Sequence, residues 1–492
     1  MLLDKILSTI EYHIECESLD TDISEIVYDS RKAFKGALFV CLCGARFDGH
    51  AYADKAYENG CRCFMVERKL DLPSDAVQVV VKNTRASLAV ASANFFCHPT
   101  KELKVIGITG TKGKTSTAHL VKAMIESSGM KCGIIGTVGA YYDDVEIETV
   151  NTTPESYELQ KIFRTMLDNG CKACVIEVSS IGLMAHRVDC VDFEIGVFTN
   201  LSPDHIGPNE HPDFEDYMYW KSVLFEIAKY AVVNIDDPAY SDMIKNCTAP
   251  VLTYGLDNAD ITAKNVKLLK NNKFIGISFD CIKGASEFYT EVALPGLFNV
   301  YNALAAISVL YAMGIDASEH IDALKEIRVR GRAECVYVCD DYDVIIDYAH
   351  NGISMKSMLD TLKSYPHNRI IALYGAVGGR TQLRRKELGL ITGKECDLSV
   401  LTSDDPDFED PWDIINEIGK YVSQSGGEYI GIPDRGEAVE YALSQMQKGD
   451  ILLLAGKGHE QYMKINGEYV PFSEREHIEK FKKRRELNNV QI

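Results

Sequence analysis

A glycine-rich run, Thr109-Gly-Thr-Lys-Gly-Lys-Thr115, stands where the apolar stretch 103–109 passes into a segment with helical periodicity. Leu120 recurs as Met124 and Val121 as Ile125, the spacing of a buried helix face. Strand, glycine loop and helix in that order aim backbone N–H groups and the positive end of a helix dipole at one point, which is how a phosphate is held. Gly110 and Gly113 permit close approach, with Thr111, Lys112 and Ser116 completing the cradle. Lys114 can offset the terminal phosphate charge, and the Thr115 hydroxyl can ligate magnesium. The general phosphate-loop pattern asks for glycine five residues before Gly113, where this chain has Ile108, so the loop is one of the shorter variants.

Further apolar runs at 173–178, 193–199 and 231–235 are separated by helix-length segments, which predicts a parallel sheet wrapped by helices. The same rhythm returns in strand candidates at 344–346, 370–373, 398–402 and 451–455, each followed by a polar or glycine-rich cluster. An α/β chain of three domains is expected: 1–99, a small α/β unit closed by His98-Pro99; 100–332, with the phosphate loop and a helix over 299–313; and 333–492, after the Arg330-Gly331-Arg332 turn. The 492 residues suit several domains.

Composition narrows the function classes. A 46% hydrophobic and 25% charged content excludes disordered and fibrous chains, and a net charge of −20 disfavours nucleic acid and anionic membranes as partners. No apolar run approaches the roughly 20 residues of a membrane-spanning helix. The start, interrupted by Asp4 and Lys5, lacks the pattern of a secretory signal, so a cytoplasmic location is expected. Fifteen cysteines, an odd count, read as reduced thiols in cores. The pairs Cys41/Cys43, Cys61/Cys63 and Cys171/Cys174 have zinc-compatible spacing, but the first two sit in strand-like runs whose alternate residues share a face, and buried thiols are preferred.

Polar residues close the strands beside the loop. Glu177, in Val175-Ile-Glu-Val-Ser-Ser180, sits at a carboxyl edge where doubly wound sheets place ligands, and can hold magnesium or be a solvated acid. Thr199-Asn-Leu-Ser-Pro-Asp-His205 offers His205 in a similar place. An ATP site alone leaves kinases, motors, switches and ligases open.

Taken together, the phosphate loop, Glu177-Val-Ser-Ser180, Asn200-Leu-Ser-Pro-Asp-His205, Leu294-Pro-Gly-Leu-Phe-Asn299, Asp347-Tyr-Ala-His350 and Leu454-Ala-Gly-Lys-Gly-His-Glu460 resemble the Mur ligases along nearly the whole chain. Asp29-Ser-Arg31, Asn151-Thr-Thr-Pro-Glu155 and His186-Arg187 point to the members that add the third amino acid of the peptidoglycan stem peptide. The resemblance implies an amino-terminal domain for a uridine nucleotide, a central ATPase and a Rossmann-like carboxy-terminal domain for the amino acid, acting as a monomer. It implies that ATP phosphorylates a carboxylate of UDP-MurNAc-L-Ala-D-Glu and that a free amino acid attacks the acyl phosphate. By the same likeness Lys114 and Thr115 serve ATP and magnesium. Glu177, His205 and a carbamylated Lys221 hold metal, two Mg2+ in all, and Asn299, Arg332 and Asp347 contact the nucleotide. Ser30, Thr152, Thr153, Ser179 and Arg187 match positions for the UDP-muramyl peptide, with Ile181 and Ala185 departing from the pattern. The segment between His205 and Lys221 is longer than usual.

The amino acid follows from residues near the carboxy terminus. Gly456 and Glu460 match positions that hold the α-ammonium. Family members for meso-diaminopimelate carry Asp-Asn-Pro-Arg, whereas this chain has Asp404-Asp405-Pro406-Asp407. Aspartate for arginine should repel a second carboxylate and favour L-lysine or another diamino acid. Arg385, clustered with Arg380 and Arg384, matches a position that touches diaminopimelate and favours that alternative. A divergent relative acting on another carboxylate, and an ATP-binding regulator without catalysis, are the competing expectations.

Overall fold

The computed structural model describes the chain except residues 15–19, 45–47, 209, 340, 380–381 and 491–492, and except the side chains of 485–490. The chain folds as two compact units, residues 1–262 with 304–320, and residues 263–303 with 321–492.

The first unit holds two sheets. The smaller runs Tyr12–Ile14, Val77–Val81, Cys63–Val66, Ala37–Val40, Glu25–Val27, parallel except for the antiparallel edge strand Tyr12–Ile14. Cys41, Cys61 and Cys63 are buried in or beside its strands. The larger sheet orders Val251–Gly255, Ala231–Asn234, Phe193–Phe198, Lys104–Thr109, Ala173–Glu177 and Cys132–Gly136 in parallel, then adds Gly139–Tyr142 and Val145–Ile147 antiparallel. These strands are almost continuously apolar because helices cover both faces. The helix Lys114–Ser127 buries Leu120, Val121, Met124 and Ile125, the residues its periodicity singled out. Segments 1–99 and 100–262 share one unit because the helix Thr84–Phe95 packs on Ser156–Asp168. Phe96 lies 5.2 Å from the Tyr157 ring, and Arg85 pairs with Glu155 at 3.2 Å.

Lys104–Thr109 lies between Phe193–Phe198 and Ala173–Glu177, so the phosphate loop at its end is flanked by the ends of two parallel neighbours. That is the switch point where open α/β sheets bind ligands.

In the second unit Ile275–Lys283 and Ser286–Val292 form an antiparallel hairpin. A six-stranded sheet orders Glu334–Val338, Tyr342–Asp347, Asp450–Ala455, Ile370–Tyr374, Leu398–Leu401 and Tyr429–Gly431, parallel after the first strand. The carboxyl ends of four of these strands lead into Asp347, Gly456, Ala376 and Asp404. Tyr462–Ile465 and Glu468–Pro471 form a separate two-stranded hairpin.

Leu453 is fully buried in the central strand of this sheet. Leu453→Ala is expected to lower stability by about 2–5 kcal/mol through the cavity it leaves. Thermal unfolding followed by circular dichroism will read this as a lowered midpoint for the second unit.

Candidate functional site

The phosphate loop keeps its shape through glycine. Gly110 has φ +150° and Gly113 φ +82°, and a Cβ at Gly110 would lie 2.0 Å from Thr199 Oγ1. Neighbouring strand ends brace the loop: Thr111 N–H donates to the Asn200 carbonyl and Lys112 N–H to Asn200 Oδ1, both at 2.9 Å. Thr199 Oγ1 donates to the Lys112 carbonyl at 2.8 Å. Lys114 folds back to donate to the carbonyls of Gly110 at 2.7 Å and Thr111 at 3.0 Å. Ser116 follows, half-buried, on the helix that the loop opens.

Glu177, 1% exposed, ends its strand against the loop. Its carboxylate accepts from Thr115 Oγ1 at 3.0 Å, Thr137 N–H at 3.0 Å and Thr137 Oγ1 at 3.2 Å. A hydroxyl and a carboxylate side by side at a phosphate loop form an oxygen donor set suited to a hard cation such as magnesium. His205 lies further along the chain, its ring 6.3 Å from that of Tyr217. It is exposed, has φ +54°, and pairs through Nδ1 with Glu210 at 3.0 Å.

Lys221 is 2% exposed, which its sequence context gave no means to foresee. Its Nζ donates to the Gly110 carbonyl at 2.9 Å and lies 4.7 Å from the centre of the Tyr217 ring. Burial, reinforced by the Lys114 ammonium, holds its pKa well below the ordinary lysine range. Tyr217, pushed up to about 12 by burial, meets Thr111 Oγ1 at 3.0 Å through its hydroxyl. The long segment before Lys221 supplies the fully buried His211, whose ring meets Ser180 Oγ at 2.9 Å and Asp216 at 2.7 Å. That segment therefore packs onto the helix bearing Ile181, the position where the sequence departs from the family pattern.

The residues that the resemblance matched to the acceptor gather nearby. Thr153 Oγ1 donates to the Glu177 carbonyl at 2.9 Å and lies 3.1 Å from Ser179 Oγ, and Thr152 Oγ1 meets Thr137 Oγ1 at 3.1 Å. Arg187 reaches Glu155 at 2.7 Å and the Thr153 carbonyl at 3.0 Å. Ser30 lines a separate cavity of about 660 Å³ with Tyr28, Asp29 and Arg31.

Close by, ligand atoms of Cys43, Asp48 and His50 lie within 4.8 Å of one another. His50 Nε2 accepts the Glu67 N–H at 2.8 Å, so Nδ1 carries the proton that faces Asp48 at 2.6 Å and has no lone pair for a metal. Burial, with Glu67 adding to it, pushes the Cys43 thiol up to about 11.

In the second unit Asp404, Asp405, Gly456 and Glu460 line one cavity of about 120 Å³ with Tyr348, His350 and Arg384. Lys457 sits among the carboxylates, fully buried, 2.6 Å from Glu460, 2.8 Å from Asp405 and 3.7 Å from Asp404. Burial opposes its charge, but Asp404, Asp405 and Glu460 outweigh that and raise its pKa. Arg435, also buried, donates to the Ser403 and Ala455 carbonyls at 2.9 and 2.8 Å and pairs with Glu474 at 2.7 Å, pinning two strand ends that carry the cavity.

Two expected residues lie elsewhere. Arg385 is buried, with its guanidinium committed to Glu409 and Glu417 at 2.7 Å each, and its neighbour Arg384 lines the cavity instead. Helical geometry turns adjacent residues to different sides, which separates Arg384 from Arg385. Asp407 faces Lys464 at 2.7 Å, outside the cavity lining. Arg380 lies outside the described residues. Asp347, buried, accepts from Ala333 N–H at 2.7 Å and Ala349 N–H at 2.8 Å, which brings Arg332 beside it. The Arg332 guanidinium stands 5.2 Å from the Tyr348 ring. Asn299 is buried at a helix start, donating to the Pro295 carbonyl at 2.8 Å.

A phosphate loop with an adjoining carboxylate and hydroxyl, on a doubly wound sheet, defines a nucleotide-binding α/β enzyme. Three family descriptions match the chain: the Mur ligase family catalytic domain over residues 22–104, the Mur ligase middle domain over 108–310, and the glutamate ligase domain of the Mur ligases over 331–458. The chain is 41% identical to UDP-N-acetylmuramoyl-L-alanyl-D-glutamate–2,6-diaminopimelate ligase of Caldanaerobacter subterraneus, over 97% of this chain and 98% of that one. It is 39% identical to the ligase of the same name from Bacillus licheniformis, over 93% and 94%. A solved structure of such a ligase aligns at TM-score 0.72 and 28% identity over 99% of both chains. The chain therefore belongs to the Mur ligase family, the ATP-dependent, ADP-forming amide ligases of peptidoglycan synthesis, which use Mg2+. Among the described residues no helix is long and apolar enough to cross a membrane.

Arg435→Met strands the buried Glu474 carboxylate and is expected to cost about 3–5 kcal/mol of stability. The double change Arg435→Met with Glu474→Leu should recover much of that in thermal denaturation.

Proposed function

We propose that the chain joins a diamino acid to one carboxylate of the D-glutamyl residue of UDP-MurNAc-L-Ala-D-Glu, using ATP to activate that carboxylate. The carrying observation is a phosphate loop whose Thr115 meets Glu177, together with a distinct cavity lined by three carboxylates suited to an ammonium group. A carboxylate is a poor electrophile. Transfer of the γ-phosphoryl group makes an acyl phosphate, the amine adds to its carbonyl carbon, and the tetrahedral intermediate expels phosphate. Amide, ADP, phosphate and a proton result. Gly110 to Ser116 and Lys114 would hold the phosphates, while Asn299, Arg332 and Asp347 hold the rest of the nucleotide. Ser30, Thr152, Thr153, Ser179 and Arg187 would orient the acceptor.

Magnesium, when bound, neutralises charge on the phosphoryl oxygens. Thr115, Glu177, His205 and Lys221 would hold two such ions, the last as a carbamate. Only an unprotonated amine adds to carbon dioxide, releasing a proton, and Lys221 is buried with its pKa driven down by that burial. Carbamylation turns it into an oxygen ligand for a cation. Segments 1–99, 100–332 and 333–492 would act as acceptor, ATP and amino-acid domains of a cytoplasmic monomer.

L-Lysine is the amino acid this reading favours. Asp404, Asp405 and Glu460 line the cavity, and Asp407 stands where diaminopimelate members of the family have arginine. A second reading, meso-diaminopimelate, is favoured by Arg384 in the same lining, which could pair with a distal carboxylate, and by the names of the relatives.

Phosphate release with UDP-MurNAc-L-Ala-D-Glu and lysine, ornithine, meso-diaminopimelate or lanthionine tests this. Lysine is expected to exceed diaminopimelate by about tenfold or more in kcat/KM. The reverse order overturns the lysine reading in favour of the second.

Lys221→Met is expected to lower kcat by at least about 100-fold while raising Tm at neutral pH relative to wild type freed of carbon dioxide. A base whose pKa is depressed by folding costs stability below its unfolded pKa, and the gain should shrink as pH rises toward 10.5, lysine's ordinary value. Wild-type enzyme depleted of carbon dioxide should lose rate and recover it with bicarbonate.

A further inference from the structure

We propose that Asp407 shapes the amino-acid cavity from outside it, by fastening the hairpin Tyr462–Ile465/Glu468–Pro471 to the loop that carries Asp404 and Asp405. The proposal rests on reading that cavity as the amino-acid site. Asp407 has φ +52°, a left-handed conformation that aspartate tolerates better than most residues. In that conformation its polar groups turn to the hairpin. Its N–H donates to the Lys464 carbonyl at 3.0 Å, and its carbonyl accepts the Asn466 N–H at 2.9 Å. Oδ1 accepts the Gly467 N–H at 2.7 Å, and Oδ2 pairs with the Lys464 ammonium at 2.7 Å.

Lys464 completes the link to the cavity. Its backbone N–H donates to Asp405 Oδ1 at 2.9 Å, and that oxygen also accepts Lys457 Nζ at 2.8 Å. The residue that Asp407 grips through both backbone and side chain is thus the one that orients a carboxylate of the cavity wall. Lys457 carries the constraint onward to Glu460 at 2.6 Å. A lone two-stranded hairpin is marginally stable in water, and the strand Glu468–Pro471 is exposed throughout, so its position depends on such attachments.

A direct action of the Asp407 charge on the substrate has less support. Both carboxylate oxygens are committed, one to an ammonium, and the pair is exposed enough for solvent and salt to screen its field. Asp407 is therefore a positioning residue. Asparagine at this position keeps the Gly467 acceptor and tolerates positive φ, losing only the ion pair. Alanine loses the acceptor and is strained.

Steady-state kinetics on the full chain test the proposal. Asp407→Ala is expected to raise KM for the amino acid about five- to twentyfold, with KM for ATP and for the UDP-linked acceptor within about twofold. Asp407→Gly, which relieves the positive φ, should show the same split and serves if the alanine variant misfolds. Asp407→Asn should stay within about threefold of wild type and keep the ranking of lysine over diaminopimelate. An unmoved amino-acid KM in both Asp407→Ala and Asp407→Gly, with normal wild-type turnover, overturns the strap alone. Acceptance of diaminopimelate by Asp407→Asn overturns it in favour of direct charge discrimination. Wild-type enzyme that releases no phosphate with any amine would overturn the site reading and this proposal with it.

Discussion

The carboxylate of Glu177, almost completely removed from water, is the tie on which the nucleotide end of the molecule depends. A buried carboxylate is tolerated only when its lone pairs are met, and here the donors come from two segments, Thr115 on the phosphate-loop helix and Thr137 after the strand Cys132–Gly136, both meeting the strand that bears Glu177. Satisfying one acid thus fixes the loop against the sheet. Gly136 makes room for this, since a Cβ there would stand 2.1 Å from the carboxylate.

Two buried lysines show how surroundings decide the work a charge can do. Lys221 meets a carbonyl and an aromatic face, and burial favours its neutral form. Lys457 meets three carboxylates that outweigh the same penalty, so it stays an ammonium and holds those acids at fixed spacing. Neither outcome follows from the residue type.

The parts of the fold written in local pattern were legible from sequence. The glycine loop, the helix face of Leu120, Val121, Met124 and Ile125, and the apolar strands followed from periods of backbone geometry, and they stand where those periods put them. Glu177 was legible because a strand end beside a glycine loop is defined by topology. What escaped were matters of direction and long-range pairing. Arg384 and Arg385 are adjacent in sequence, and only the acids Glu409 and Glu417, distant along the chain, decide which of them turns inward. The pairing of Asp407 was not legible either, since its partner Lys464 lies on a hairpin that no local signal connects to it. The burial of Lys221 was not legible because its cover, Tyr217, one helical turn away, matters only once Thr111 fixes the ring.

The central claim is that the acceptor carboxylate is phosphorylated before the amine attacks. Acceptor labelled with 18O in its D-glutamyl carboxylates, turned over with ATP and the amino acid, should deliver one labelled oxygen into the released phosphate, as mass spectrometry can read. Phosphate that emerges unlabelled while amide accumulates would contradict the account.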